Sequence, residues 1–152
     1  MKVKGSYKPE RYEYEVIHNG MALIRLYENI KKYTEKSENG RPDITGYEYD
    51  RYTLMRPHSD HLRARVKNET ETWLEYAKLE EAKELAAEIR AKRDSLLRDT
   101  DTTQISDADI CEDCREAFRV YRQALREVPE QDGFPYEVDW PEEPVVMKAT
   151  RR

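Results

Sequence analysis

Cysteine is scarce, with two in 152 residues, and there are only three histidines. Two cysteines cannot build a disulfide framework, and three histidines leave little for metal or nucleophilic chemistry. The five glycines form neither a G-x-G-x-x-G fingerprint nor a P-loop, so the glycine-rich phosphate cradles are excluded. No apolar run reaches 18 residues, and no membrane span is expected. The opening Met1-Lys2-Val3-Lys4-Gly5-Ser6 has no apolar stretch, so no secretory signal is expected and the default setting is cytosolic. Leu, Ile, Val and Phe together number 27, against 39% charged residues. Such a composition builds thin layers and helical pairs, not one thick core with a deep enzymatic pocket.

The net charge of −5 divides as +2 over residues 1–57, −4 over 58–128 and −3 over 129–152. None of these is a basic patch of the kind that nucleic acid requires. What the chain does have is tyrosine: eight of its 11 lie within residues 1–52, which is strand composition. Tyr12, Tyr14 and Val16 alternate with Glu13 and Glu15. Ala22, Ile24, Leu26 and Ile30 follow at even spacing after Asn19-Gly20. Asn-Gly between two alternating runs signals a hairpin, because both turn residues need φ > 0. Strands are predicted at 11–18, 21–33 and 45–55, with a polar loop over 35–43 that holds Asn39-Gly40 and Pro42. In the third strand the apolar positions step from odd (Tyr47, Tyr49) to even (Tyr52, Leu54), which suggests a bulge there. A three-stranded meander needs a second layer to be stable.

Pro57 ends the strands, and Ser59 or Asp60 can cap a helix. Leu62, Val66, Trp73, Ala77, Ala82, Leu85, Ala86, Ile89, Leu96 and Leu97 recur at helical spacing. This is one helix of about 40 residues, or two with a break near Asn68 or Lys78. Asp99-Thr100-Asp101-Thr102-Thr103 is turn chemistry. Ser106 or Asp107 is expected to cap a second helix ending near Glu127, with Ile110, Cys114, Phe118, Tyr121 and Leu125 as its apolar stripe. Acidic residues at its start and Arg119, Arg122 and Arg126 at its end suit the helix dipole. Pro129 stops it, and the two helices are expected to pair as an antiparallel hairpin. The tail, Gly133 to Pro141, is too rich in proline for a helix, and its aromatics can pack across the hairpin.

The fold class expected is therefore α+β. An antiparallel β-meander spans residues 1–57. A long helix and C-terminal helical hairpin with an extended Pro/Trp tail span 58–145, and residues 146–152 fray.

Few constellations carry chemistry. Cys111-Glu112-Asp113-Cys114 is a C-x-x-C, but redox use wants it at a helix start after a strand. Here it is expected one turn inside a helix, among carboxylates that disfavour the thiolate. The plain reading is one packed thiol and one incidental. His58 and His61 could join the cysteines in a zinc site, yet the hairpin separates the pairs by on the order of 50 Å. No nucleophile elbow or triad is present, and carboxylates at helical spacing make a solvated face. No enzyme, cofactor or metal is expected. Arg115, Arg119, Arg122 and Arg126 form a stripe that is either a solvated flank or a dock for an acidic partner, and the open strand edges could accept another chain.

Three blocks carry a resemblance. They are Arg93-Asp94-Ser95-Leu96-Leu97-Arg98-Asp99-Thr100-Asp101, then Tyr121-Arg122-Gln123-Ala124-Leu125-Arg126-Glu127-Val128-Pro129, then Gly133-Phe134-Pro135 with Val138-Asp139-Trp140-Pro141 and Pro144. In order and spacing they resemble the phage tail assembly chaperone family over about residues 80–144. Two departures are Thr102 and Phe118, where the family usually has Trp. Tyr7-Lys8-Pro9 and Tyr47-Glu48-Tyr49-Asp50 look more loosely like the leading part of related prophage proteins. The resemblance implies a non-enzymatic assembly chaperone or adaptor. Its partner would be a tail-fibre, baseplate or other tail protein, in the host bacterial cytoplasm during assembly. The alternative is a structural component retained in the virion tail, and self-association into a homo-oligomer is compatible with either. Neither nucleic acid nor membrane is an expected partner. The residues favoured for partner contact are Tyr121, Arg122, Arg126, Phe134 and Trp140, with the hairpin's own core as the competing role for the three aromatics.

Overall fold

A computed structural model describes residues 2–36 and 43–145. The predicted loop residues Asn39, Gly40 and Pro42 and the tail 146–152 lie outside the described residues. The chain divides into two compact units, Met1–Glu81 and Ala82–Arg152.

The first unit is built on an antiparallel sheet of four strands, β1 (Lys2–Gly5), β2 (Tyr12–Ile17), β3 (Met21–Glu35) and β4 (Ile44–Pro57), in the order β1-β4-β3-β2. The sequence reading expected three strands and missed β1. Four residues with alternating Lys carry too little apolar signal, and β1 exists because β4 offers an edge at Tyr47–Asp50. The Asn-Gly turn forms between β2 and β3, with Asn19 at φ 64° and Gly20 at φ 67°. The bulge lies elsewhere than expected. Register shifts between Glu28 and Lys31 of β3, where Asn29 takes φ 52°, and β4 runs through without an extra residue. The odd-to-even step in β4 has another cause, which is that both faces of the strand are covered. Leu54 packs on the helix side, while Tyr49 sits on the opposite face, T-shaped against Tyr27 with ring centroids 5.3 Å apart.

Two helices cover the first face. Helix α1 (Asp60–Asn68) starts where the Ser59 hydroxyl accepts a hydrogen bond from the Leu62 amide at 3.0 Å, a standard N-cap. It ends at Glu69 (φ −121°, ψ 37°), and the hydroxyl of Thr70 donates back to the Val66 carbonyl at 2.9 Å. Helix α2 then runs Thr70–Asp99. Of the two break points that periodicity leaves open, the chain uses the one at Asn68. Ile24, Leu26, Leu54, Val66, Leu74 and Ala77 form the core, flanked by Tyr12, Tyr14, Tyr52, Leu62 and Trp73. Each fully buried Leu, Ile or Val stabilises the unit by about 1.5–3 kcal/mol relative to exposure.

In the second unit the end of α2 is followed by a 3-10 turn at Asp101–Gln104, helix α3 (Glu112–Glu127) and a further 3-10 turn at Val128–Glu130. Helix α3 ends as expected but begins four or five residues later than Asp107 or Ser106 would set it. In between the chain turns: the Ile105 carbonyl accepts from the Ala108 amide and the Ala108 carbonyl from the Ile110 amide. Arg115 Nη1 donates to the carbonyls of Thr103 and Ile105, and the helix starts at its Cys111 cap. Among the described residues no helix is long and apolar enough to cross a membrane.

Candidate protein interface

The apolar stripe of α3 makes the second core. Phe118, Tyr121 and Leu125 are buried and pack with Leu96, Leu97 and Trp140. Tyr121 is only 4% exposed. Burial, with smaller effects from Glu143 and Asp99, raises its phenol pKa.

The four arginines lie within about 60° of one another around the helix, and what they meet divides them. Arg115 and Arg122 form one pair, Arg119 and Arg126 the other. The first pair faces inward. Arg122, its side chain 11% exposed, donates to the Leu97 carbonyl and to Thr100 Oγ1 (2.8 Å) and pairs with Asp101 (2.7 Å). Thr100 Oγ1 in turn donates to the Leu96 carbonyl at 2.9 Å. The guanidinium thus satisfies the Leu97 carbonyl in the last turn of α2, where a cation also meets the negative end of the helix dipole. The second pair faces outward. Arg119 is bonded to Glu116 and its side chain is 72% exposed, and Arg126 is exposed.

Beyond α3, Gln131 clasps a nine-residue segment that ends at Asp139. Its Nε2 donates to the Asp139 carbonyl and its Oε1 accepts from the Asp139 amide, both at 2.8 Å. At the base of the loop the amides of Tyr136 and Glu137 donate to the Gly133 carbonyl. A Cβ at Gly133 would lie 2.7 Å from Glu137 Cβ, so this close approach requires glycine. The Phe134-Pro135 bond is cis. Two α2 cations cover the loop aromatics: Arg90 lies 5.1 Å from the Phe134 ring centre and Lys92 4.1 Å from that of Trp140. Such contacts contribute about 0.5–1 kcal/mol at exposed sites. Phe134 and Trp140 are half-buried, while Tyr136 between them is 60% exposed.

The five residues favoured from sequence are therefore gathered in one unit in two settings. Tyr121 and Arg122 face inward, and Arg126, Phe134 and Trp140 reach the surface. Sequence reasoning missed Gln131 and the inward role of Arg115. A lone Gln has no pattern, and helical spacing alone does not separate Arg115 from the other arginines.

Two other expectations need comment. Cys111 and Cys114 are joined in a disulfide, with Cα atoms 5.1 Å apart. They are not one packed thiol and one incidental, nor do they sit a turn inside α3, because Cys111 is its N-cap. His58 is engaged in the first unit, its Nδ1 3.0 Å from the Tyr14 hydroxyl. Among the described residues no group of three His, Cys, Asp or Glu is arranged to hold a metal.

No curated protein and no solved structure matches the chain. A family model described as phage tail assembly chaperone protein does match residues 86–145, which comprise the end of α2, α3 and the clasped aromatic loop.

Proposed function

We propose that the protein is a non-enzymatic assembly chaperone or adaptor that binds a tail-fibre, baseplate or other tail protein in the host cytoplasm before or during assembly. The observation that carries this reading is the family match, whose 86–145 boundaries enclose α3 and the clasped loop. In this reading residues 58–145 act as the helical module, with α3 paired against α2 as a hairpin and the Pro/Trp tail laid across it. Arg126, Phe134 and Trp140 contact the partner. Tyr121 and Arg122, which face the core, hold them in place. An aromatic-and-arginine surface suits protein recognition, since both residue types are enriched where interface energy concentrates. Binding would cover apolar or strand-edge surface on an unassembled tail protein and limit its aggregation.

A second reading, a structural component kept in the virion tail, draws on the sheet. β3 pairs with β2 along Met21–Leu26, with one more bond from the Tyr27 amide to the Arg11 carbonyl, although it runs on to Glu35 beside β4. The rest of that edge could take a strand from a neighbour. Quantitative mass spectrometry of purified phage or induced prophage particles against the producing lysate separates the two. The chaperone reading expects the protein in lysate and not in particles. A fixed multiple of three or six copies per particle would overturn it in favour of the structural reading.

A further inference from the structure

The cysteine pair is unused by the function proposed above, yet its setting is specific. Cys111 and Cys114 are disulfide-bonded at the first turn of a 16-residue helix. The two sulfurs are not equivalent. Cys111 is the N-cap, partly exposed, and its Sγ accepts the Cys114 amide at 3.1 Å, whereas Cys114 is buried at 5% exposure. One sulfur is open to an incoming thiol and the other is placed to resolve what forms. The surroundings are acidic: Asp107, Asp109, Glu112 and Asp113 all lie within four residues of Cys111. Within the same stretch of chain the cation is Arg115, which is paired with Glu112 and bonded to the Thr103 and Ile105 carbonyls. Thiol–disulfide exchange depends on access and on the charge that the attacking group meets, so this site repels an anionic thiol and attracts a cationic one.

We propose that Cys111–Cys114 is a thiol–disulfide exchange site entered at Cys111 and selective for cationic thiols and their disulfides. In the oxidising direction the Cys111 thiolate attacks one sulfur of a cationic disulfide. The S–S bond of that reagent breaks, one thiolate leaves and is protonated, and a mixed disulfide forms on Cys111. The Cys114 thiolate then attacks Cys111 Sγ, closes the internal disulfide and expels the second thiolate. The protein loses two electrons and two protons, and the reagent becomes two thiols. Reduction is the reverse, with two cationic thiols as the electron source.

The test uses the full chain, reduced and then exposed to cystamine or to glutathione disulfide, with acid quench and peptide mapping by mass spectrometry. An uncharged cysteine derivative, N-acetylcysteine amide, supplies the intrinsic rates. Relative to that reference, the folded chain should prefer cystamine by roughly tenfold at low salt, and the preference should shrink at least about threefold in 0.5 M NaCl. In Cys114→Ser the adduct should accumulate on Cys111, and in Cys111→Ser the remaining thiol should react about tenfold more slowly or less. If either variant loses its helical circular dichroism, the first adduct on the rapidly quenched wild-type chain answers the same question. Equal preference for the two reagents, first adducts on Cys114, or no return to the internal disulfide would each overturn the proposal.

Discussion

Arg122 and Arg126 lie one helical turn apart on α3, and their surroundings give them opposite roles. Arg122 holds two groups at the end of α2 and pairs with Asp101, while Arg126 is exposed. Removing a charged donor from a partly buried carbonyl costs about 1.5–3 kcal/mol. Arg122→Ala should lower stability by that amount in urea unfolding, and Arg126→Ala should change it by less than about 0.5 kcal/mol. Equal effects would contradict the division of the stripe into two pairs. Tyr52 shows a second residue-scale effect. Burial, and then its hydrogen bond to Glu28 (3.1 Å), raise its phenol pKa to about 12 from 10.0. The folded state keeps a proton that the unfolded chain releases, so this stabilisation is complete below pH 10 and disappears as pH rises through about 12. Unfolding measured across that window should show a decline that is smaller in Tyr52→Phe.

At the scale of the element, local backbone requirements decide where strands bend and helices begin. Asn29 occupies the left-handed region at φ 52° where β3 carries its extra residue. Asn tolerates that region and Ala does not. Asn29→Ala should cost about 1 kcal/mol or more, and Asn29→Gly should be close to neutral. Its side chain also donates to Asp50 at 2.8 Å, so any residual cost of the glycine variant should match that of Asp50→Ala. Helix α3 teaches the complementary lesson. Good capping residues at 106 and 107 do not start a helix: the Ala108 and Ile110 amides close short turns there, and the first helical turn is capped at Cys111.

For the whole molecule, two separate cores matter more than one total stability. Ile24 belongs to the sheet-and-helix core and Leu125 to the α3 core, and both are fully buried. Truncating such a residue to alanine costs about 2–5 kcal/mol. Ile24→Ala should speed amide exchange in β2, β3 and β4 with little change in α3, and Leu125→Ala should do the reverse. Uniform loss of protection in both variants would mean that the units unfold together.

Much of this protein was legible in its sequence where the signal is local. The Asn-Gly turn, the three longer strands, the Ser59 cap, the end of α3 and the α+β class follow from φ requirements and from periods of 2 and 3.6 residues. The three blocks resembling the tail assembly chaperone family lie in the 86–145 segment that the family model matches. Other features needed the tertiary structure, because each depends on a partner distant in the chain. β1 takes its edge from residues more than 40 positions away. Tyr49 is buried on the face opposite Leu54 because Tyr27 packs against it. The inward turn of Arg115 and Arg122 depends on carbonyls of the connection they hold, and the clasped loop depends on a single Gln131. The cysteine pairing accompanies the start of α3 at Cys111, which no propensity at 106–111 announces. Periodicity reports which face of an element is apolar; which polar side chain satisfies which carbonyl is decided only when the elements meet.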